Sequence, residues 1–160
     1  GRVAEFLAGD HGYDHVVATR DHHIDPGTHF SATPDYVDTW PVHCVAETEG
    51  AEYDPGLDTG YIGHHLKKGQ GVPAYSLFEG VTDDGATITE LLRAHGVLDV
   101  DLVGIATDHC VRATGLDAIE HGVHVRVLTD LVAGVAPEPS EAALAELAHA
   151  GAELAESRGR

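Results

Sequence analysis

Short apolar runs rich in β-branched residues alternate along this chain with segments of helical periodicity, and this alternation is what most constrains the fold. The helical segments are residues 2–8, 86–96, 107–122 and 139–154, and the strand-like runs are residues 15–21, 65–69, 99–106 and 124–134. Strands that alternate with helices pair in parallel, because each helical crossover returns the chain to the same end of the sheet. The sequence therefore predicts a doubly wound, mostly parallel α/β fold with helices on both faces, built as a single domain over residues 1–160.

Residues 24–62 form a long segment that is rich in Pro, Gly, Asp and Thr and shows no sustained period. A loop of this length in a compact domain is uncommon and is usually functional. In open parallel sheets, ligands bind outside the carboxyl ends of the strands. The polar residues that follow the runs at 15–21 and 99–106 are therefore expected to face one crevice.

The charge balance and the cysteine content narrow the expected partners and compartment. The chain has 27 acidic and 9 basic residues, a formal net charge of -18, and this argues against nucleic acid, whose phosphates need a basic patch. No apolar run approaches the length of a membrane span. Two cysteines do not make a disulfide framework. We therefore expect a protein of the reducing cytoplasm.

The stretch "RDHHIDPGTHF" brings several ligand-type side chains together just after a strand-like run. Asp21 and His23 lie two residues apart, so on an extended segment they share one face, while His22 points to the other. His29 returns after a turn signal, and His43 follows in "WPVHC". One carboxylate and three imidazoles suit a borderline divalent metal such as Zn, Mn or Fe. A polar loop with solvated histidines is the alternative that the spacing leaves open.

A second constellation lies in "GIATDHCV", where Cys110 falls in the first turn of a predicted helix. The partial positive charge at a helix N-terminus lowers the pKa of a thiol, and the N–H groups there can stabilise an oxyanion. A buried, inert cysteine is the alternative. Lys68 lies near the end of a strand-like run and could contact a thiolate or a carboxylate in the crevice, and an exposed pair with Lys67 is the alternative. Cys44 has no such setting and is expected to serve packing.

Four motifs occur in one order along the chain, namely "RDHHIDPGTHFS", "TPDY…WPVHC", "KKG…AYSLFEG" and "GIATDHCVRAT…DA". Over residues 13–150 the chain thereby resembles the bacterial nicotinamidases/pyrazinamidases of the isochorismatase-like hydrolase superfamily. The resemblance implies a parallel sheet of about six strands with helices on both faces. It also implies hydrolysis of nicotinamide to nicotinate and ammonia in NAD salvage, with pyrazinamide as an alternate substrate.

The resemblance implies roles for single residues as well. The family's ligands for one divalent ion (Zn, Mn or Fe) match Asp21, His23, His29 and His43. Its nucleophile matches Cys110, its catalytic lysine matches Lys68, and its ring-contacting residues match Trp40, Tyr75 and His109. Its oxyanion hole matches the backbone N–H groups of Ala106 and Cys110, beside a cis peptide bond between Ile105 and Ala106. The implied reaction passes through a thioester on the cysteine.

The chain departs from the family pattern at its start. The general base of the family is an Asp in a "D-x-Q-x-D-F"-like motif on the first, central strand, and this motif is absent. We therefore expect an N-terminally truncated domain that is inactive and poorly folded by itself, because unpaired buried backbone groups cost about 1–3 kcal/mol each. A non-catalytic metal-binding remnant is one alternative. Another isochorismatase-like amidase is the second, although amidases acting on carbamoyl or ureido groups generally lack the Asp-His-His-His set.

Overall fold

The computed structural model describes residues 1–157, which form five strands and four α-helices. The strands are β1 Val17–Ile24, β2 His64–Gln70, β3 Asp99–Ile105, β4 His124–Ala133 and β5 Glu153–Ala155. The α-helices are α1 Arg2–Ala8, α2 Ile88–His95, α3 Arg112–Glu120 and α4 Pro137–Ala150. A π-helical turn, Thr107–Val111, leads into α3, and single 3₁₀ turns cover Gly27–His29, Glu49–Ala51, Thr59–Tyr61 and Leu77–Glu79. The predicted α/β class is confirmed.

All strand pairings in the ladders are parallel, but they are divided between two sheets. One sheet pairs β1 with β2, and the other has the order β3-β4-β5. Within residues 1–157 no ladder joins β1 to β3, so the strands differ from the single sheet of about six that the resemblance implies. The difference arises because no strand of the described chain lies between β1 and β3 to pair with both.

The hydrophobic core lies around β4, which is hydrogen-bonded on both sides. Val127 and Leu128 of β4 are fully buried, and α3 and α4 cover the same sheet. Gly115 of α3 allows a close approach, since a Cβ at this position would lie 2.5 Å from Cδ2 of Leu147 in α4. None of the helices in the described chain combines the length and apolar character that crossing a membrane requires.

The last helix and its surroundings differ from the sequence-based prediction. The helix begins at Pro137, whose fixed φ suits the first helical position, and Ser140 lies inside it with its hydroxyl 2.6 Å from the Ala136 carbonyl oxygen. Ser140 therefore does not act as the N-cap of this helix. Instead, the carboxylate of Asp108 accepts hydrogen bonds from the N–H groups of Val135 and Ala136, at 3.0 and 3.1 Å. The end of the predicted helix is also wrong, because residues 153–155 are strand β5.

Candidate active site

The side chains singled out by sequence converge at the carboxyl ends of β1, β2 and β3. Asp21 lies in β1 directly opposite Lys68 in the β1–β2 register. Cys110 lies in the π-helical turn that follows β3. Lys68 donates one hydrogen bond to Oδ1 of Asp21 and another to Sγ of Cys110, 3.4 Å away. Lys68 therefore connects the candidate metal ligands with the candidate nucleophile.

The charge of Lys68 is maintained although the residue is almost fully buried, with 3% of its surface exposed. Burial acts against the ammonium form, but the adjacent Cys110 sulfur and Asp21 carboxylate outweigh it and raise the pKa of Lys68 above its ordinary value. A cation held against a sulfur atom stabilises the thiolate form of a cysteine. Lys68 therefore places a positive charge beside the sulfur of Cys110.

Two histidines direct their Nε2 atoms at each other across a gap of 3.2 Å, one from His23 and one from His43. The Nδ1 atom of His23 lies 3.1 Å from the Gly69 carbonyl oxygen, and the Nδ1 atom of His43 lies 2.7 Å from the Pro41 carbonyl oxygen. A carbonyl only accepts, so both Nδ1 atoms are placed to donate, and the two Nε2 atoms are the positions that can face a metal ion.

His29 and Asp21 complete this group of ligand atoms. One nitrogen each of His23, His29 and His43 can be chosen so that all three lie within 4.8 Å of one another. The Oδ2 atom of Asp21 lies 3.9 Å from Nε2 of His23 and 4.0 Å from Nε2 of His43. Nδ1 of His29 is buried without a hydrogen-bond partner among the described residues. These donors and the unpartnered nitrogen fit a divalent metal ion.

The long loop reaches the site because single backbone contacts fasten it to β1. The N–H of His23 donates to the Cys44 carbonyl oxygen at 2.8 Å, and the N–H of Ala46 donates to the His23 carbonyl oxygen at 3.0 Å. His43 is thereby held beside the end of β1. Sequence patterns do not reveal such contacts, since they join residues far apart in a segment without period.

Two residues have contacts at the site that the sequence alone does not assign. Cys44 is half-buried, and its sulfur lies within 4.8 Å of ligand atoms from Asp21 and His43. Burial raises the pKa of the Cys44 thiol, which favours its neutral form. Asp21 is the second, because the carboxylate expected only as a metal ligand also contacts Lys68. Its pairing position opposite Lys68 in adjacent strands is the signal that could have revealed this contact.

The residues assigned to the oxyanion hole lie at the end of β3. The peptide bond between Ile105 and Ala106 is cis. The N–H groups of His109 and Val111 donate to the Ala106 carbonyl oxygen at 3.2 and 3.0 Å, which shapes the turn around Cys110. This turn is π-helical and not the regular first turn that the sequence predicts. The N–H groups of Ala106 and Cys110 remain the predicted donors.

Three aromatic side chains form one wall beside Cys110, which we call the aromatic wall: Trp40, Tyr75 and His109. The ring centroid of Trp40 lies 4.9 Å from that of His109, and the ring of Tyr75 lies 5.4 Å from His109. Nε1 of Trp40 donates to the Tyr75 hydroxyl at 3.0 Å. The ring of His29 lies 5.9 Å from Tyr75, which connects the wall with the histidine group.

Comparisons with known proteins bear on this arrangement. The family model described as "Isochorismatase domain" matches residues 8–158. A nicotinamidase/pyrazinamidase of Mycobacterium tuberculosis is 52% identical over 152 residues, which span 95% of this chain and 82% of that protein. PnC1 from L. infantum, solved in complex with nicotinate, has a TM-score of 0.84 and 32% identity, covering 98% of this chain and 78% of that one. A pyrazinamidase of Pyrococcus horikoshii, solved in complex with zinc, has a TM-score of 0.79 and 37% identity over 97% of this chain and 83% of that one.

Proposed function

The chain belongs to the isochorismatase family, and from this membership we propose that it hydrolyses nicotinamide to nicotinate and ammonia, with pyrazinamide as an alternate substrate. The observation that carries the proposal is the contact of Lys68 with both Cys110 and Asp21, directly beside the histidine group. The identity to the mycobacterial nicotinamidase/pyrazinamidase supports the choice of substrate, as does the nicotinate held by the L. infantum structure.

Cys110 is the proposed nucleophile. Its thiolate, stabilised by Lys68, attacks the amide carbon, and the carbonyl oxygen of the substrate becomes an oxyanion that backbone N–H groups at the turn receive. The carbon–nitrogen bond breaks, the nitrogen takes up the proton that the Cys110 thiol gave up, and ammonia leaves. Water then hydrolyses the thioester, which releases the carboxylate and restores the thiol.

Asp21, His23, His29 and His43 are the residues that would hold a divalent ion, and the zinc in the Pyrococcus structure supports this part of the proposal. When bound, the ion supplies a Lewis-acid position for a ring nitrogen or a water molecule. The protein's own contribution is to fix the tautomers of His23 and His43 through the Gly69 and Pro41 carbonyl groups.

A hydrolase needs a general base, whereas a non-catalytic metal-binding protein does not. Among residues 1–157 the carboxylate that contacts Lys68 is Asp21, which is also a proposed metal ligand. A non-catalytic metal-binding protein is the second candidate, because Asp21 takes part in both groups.

Ammonia release from nicotinamide by the purified chain, measured together with its metal content, decides between the candidates. We expect the parent chain to release ammonia, Cys110→Ala to abolish this release and the matched control Cys44→Ala to retain it. Both changes remove one thiol, but only the Cys110 thiol accepts a hydrogen bond from Lys68. Metal bound without any turnover would favour the metal-binding protein. Turnover that survives Cys110→Ala would overturn the covalent mechanism.

We also propose a reducing compartment such as the cytoplasm, because both cysteines are free in the described chain. We propose a small-molecule substrate, because the site consists of largely buried side chains at the carboxyl ends of β1, β2 and β3. The proposed assembly is a monomer or a small homo-oligomer.

A further inference from the structure

The aromatic wall is held in place by a residue that does not belong to it. Asp35 is exposed, and its Oδ1 atom accepts hydrogen bonds from the N–H groups of Val37, Asp38 and Thr39 at 2.9–3.0 Å. The Thr39 hydroxyl donates to the same oxygen at 2.9 Å, while the N–H of Asp35 donates to that hydroxyl at 2.9 Å. One carboxylate oxygen therefore organises the whole of residues 35–39, which we call the Asp35 turn.

The Asp35 turn and the residue that follows it provide both hydrogen-bond partners of the Tyr75 hydroxyl. The Tyr75 hydroxyl donates to the Val37 carbonyl oxygen at 3.2 Å and accepts from Nε1 of Trp40 at 3.0 Å. Trp40 follows the turn directly, and its N–H donates to the His29 carbonyl oxygen at 2.8 Å. The turn thus sets both partners of the tyrosine hydroxyl, one through a carbonyl and one through an indole.

From these contacts we infer that Asp35 is a positioning residue for substrate binding, which orders residues 35–39 so that Trp40 and Tyr75 hold a planar heteroaromatic amide against His109. The identity of that amide rests on the proposed function. The position of the indole does not depend on the proposed function, because contacts within the chain set it.

The alternative is that Asp35 only shapes an exposed turn without consequence for the site. Two features argue against it. The turn is connected to the wall at two points, Val37 and Trp40, and both meet at one hydroxyl of Tyr75. Tyr75 is itself held from its own side, because Oε2 of Glu79 accepts hydrogen bonds from the N–H groups of Tyr75 and Ser76, at 2.9 Å each. A loosened Asp35 turn therefore leaves the tyrosine backbone in place and removes the support that residues 35–39 give to the indole.

The chain contains a single tryptophan, so its fluorescence reports directly on the aromatic wall. We expect Asp35→Ala to increase acrylamide quenching of Trp40 and to raise the KM for nicotinamide by about tenfold with little change in kcat, since lost substrate positioning without lost chemistry acts on KM. Asp35→Asn keeps one acceptor oxygen and is expected to fall between Asp35→Ala and the parent chain. Asp38→Ala is the matched control, because this carboxylate lies in the same turn and accepts no hydrogen bond within residues 1–157.

Quenching and KM that are the same in Asp35→Ala and the parent chain would overturn the inference, as would a fall in kcat with KM unchanged. Thr39→Val provides a second test that keeps the carboxylate, and it is expected to change quenching in the same direction but less. If the parent chain releases no ammonia from nicotinamide, the proposed function fails, while the quenching difference between Asp35→Ala and Asp38→Ala still decides the inference.

Discussion

Gly69 lies against the ring of His23 in a backbone conformation that favours glycine. Its φ is +76°, and a Cβ at this position would lie 2.4 Å from Nδ1 of His23. The same residue offers the carbonyl oxygen that faces this nitrogen at 3.1 Å. A side chain at residue 69 would therefore displace the ring and its Nε2 lone pair together.

We predict that Gly69→Ala lowers the affinity for a divalent metal by about 10–100-fold, the usual effect of losing a residue that orients a ligating histidine. Gly71→Ala is the matched control, because Gly71 also has a positive φ, +83°, but a Cβ there would meet nothing within 4 Å. Metal titration of both variants by calorimetry gives the comparison. Equal losses of affinity would mean that backbone strain, and not the contact with His23, sets the effect.

Burial lowers the pKa of His23 and of His29 below the ordinary value of 6.5. Below pH 6.5 the unfolded chain therefore binds protons at these residues that the folded, metal-free chain does not, and unfolding becomes easier as the pH falls toward the folded-state values. We predict a free energy of unfolding that decreases below pH 6.5, with a smaller decrease in His29→Gln. Urea titrations at pH 7.5 and 5.5 provide the measurement, with the exposed His149→Gln as control. The same pH dependence in both variants would contradict this origin.

Helix α4 depends on a residue from another element for its first turn. No side chain of its own caps the helix, whereas Asp108 accepts from the N–H groups of Val135 and Ala136 just before it. Negative charge at a helix N-terminus also interacts favourably with the helix dipole. Asp108 thereby joins the turn that carries Cys110 to the helix that covers β4.

We predict that Asp108→Ala lowers the free energy of unfolding by about 0.5–2 kcal/mol, as the loss of a capping side chain does. Glu138→Ala removes an acidic residue from the first turn of the same helix and is the control, with an expected effect near zero. Chemical denaturation followed by circular dichroism measures both. A larger loss of unfolding free energy for Glu138→Ala would show that negative charge near the helix N-terminus, and not the two hydrogen bonds, accounts for the contribution of Asp108.

Helices and strands differ in how far their sequences predict them. Regular periodicity predicts α2, β3 and β4 to within two residues, because each of them carries a repeating apolar pattern in its sequence. The π-helical turn and strand β5 are not predicted, since both depend on contacts with distant residues and not on local pattern. The same reason explains the site. The candidate metal ligands and Cys110 follow from motifs, whereas the attachment of the loop through Cys44 and the proposed role of Asp35 follow from contacts with the backbone.

At the scale of the whole molecule, the two sheets differ in how completely their strands are paired. β4 is hydrogen-bonded on both sides, whereas within residues 1–157 no strand pairs with the second edge of β1 along residues 17–21. Amide groups that lack a ladder partner open to solvent more easily than those between two strands. We therefore expect the sheet that carries Asp21 and Lys68, which has no strand paired on both sides among residues 1–157, to be the less stable part of the fold.

We predict that the amides of residues 17–21 exchange with deuterium faster than those of residues 125–128 in β4. Hydrogen exchange resolved by mass spectrometry provides the measurement. β3 is the internal control, because it also pairs on one side only but belongs to the sheet with the larger core. Equal protection of β1 and β4 would show that one cooperative unit spans both sheets.

The position of the two lysines of the chain makes proteolysis a probe of one strand. Both lie in β2, Lys67 in an ion pair with Asp83 and Lys68 in the buried contact with Asp21 and Cys110. A lysine-specific protease therefore has its cleavage sites in a single strand that forms part of the active site. Proteolytic nicking with this enzyme would follow the opening of that strand alone, and a substrate analogue that occupies the crevice would lengthen the lifetime of the intact chain.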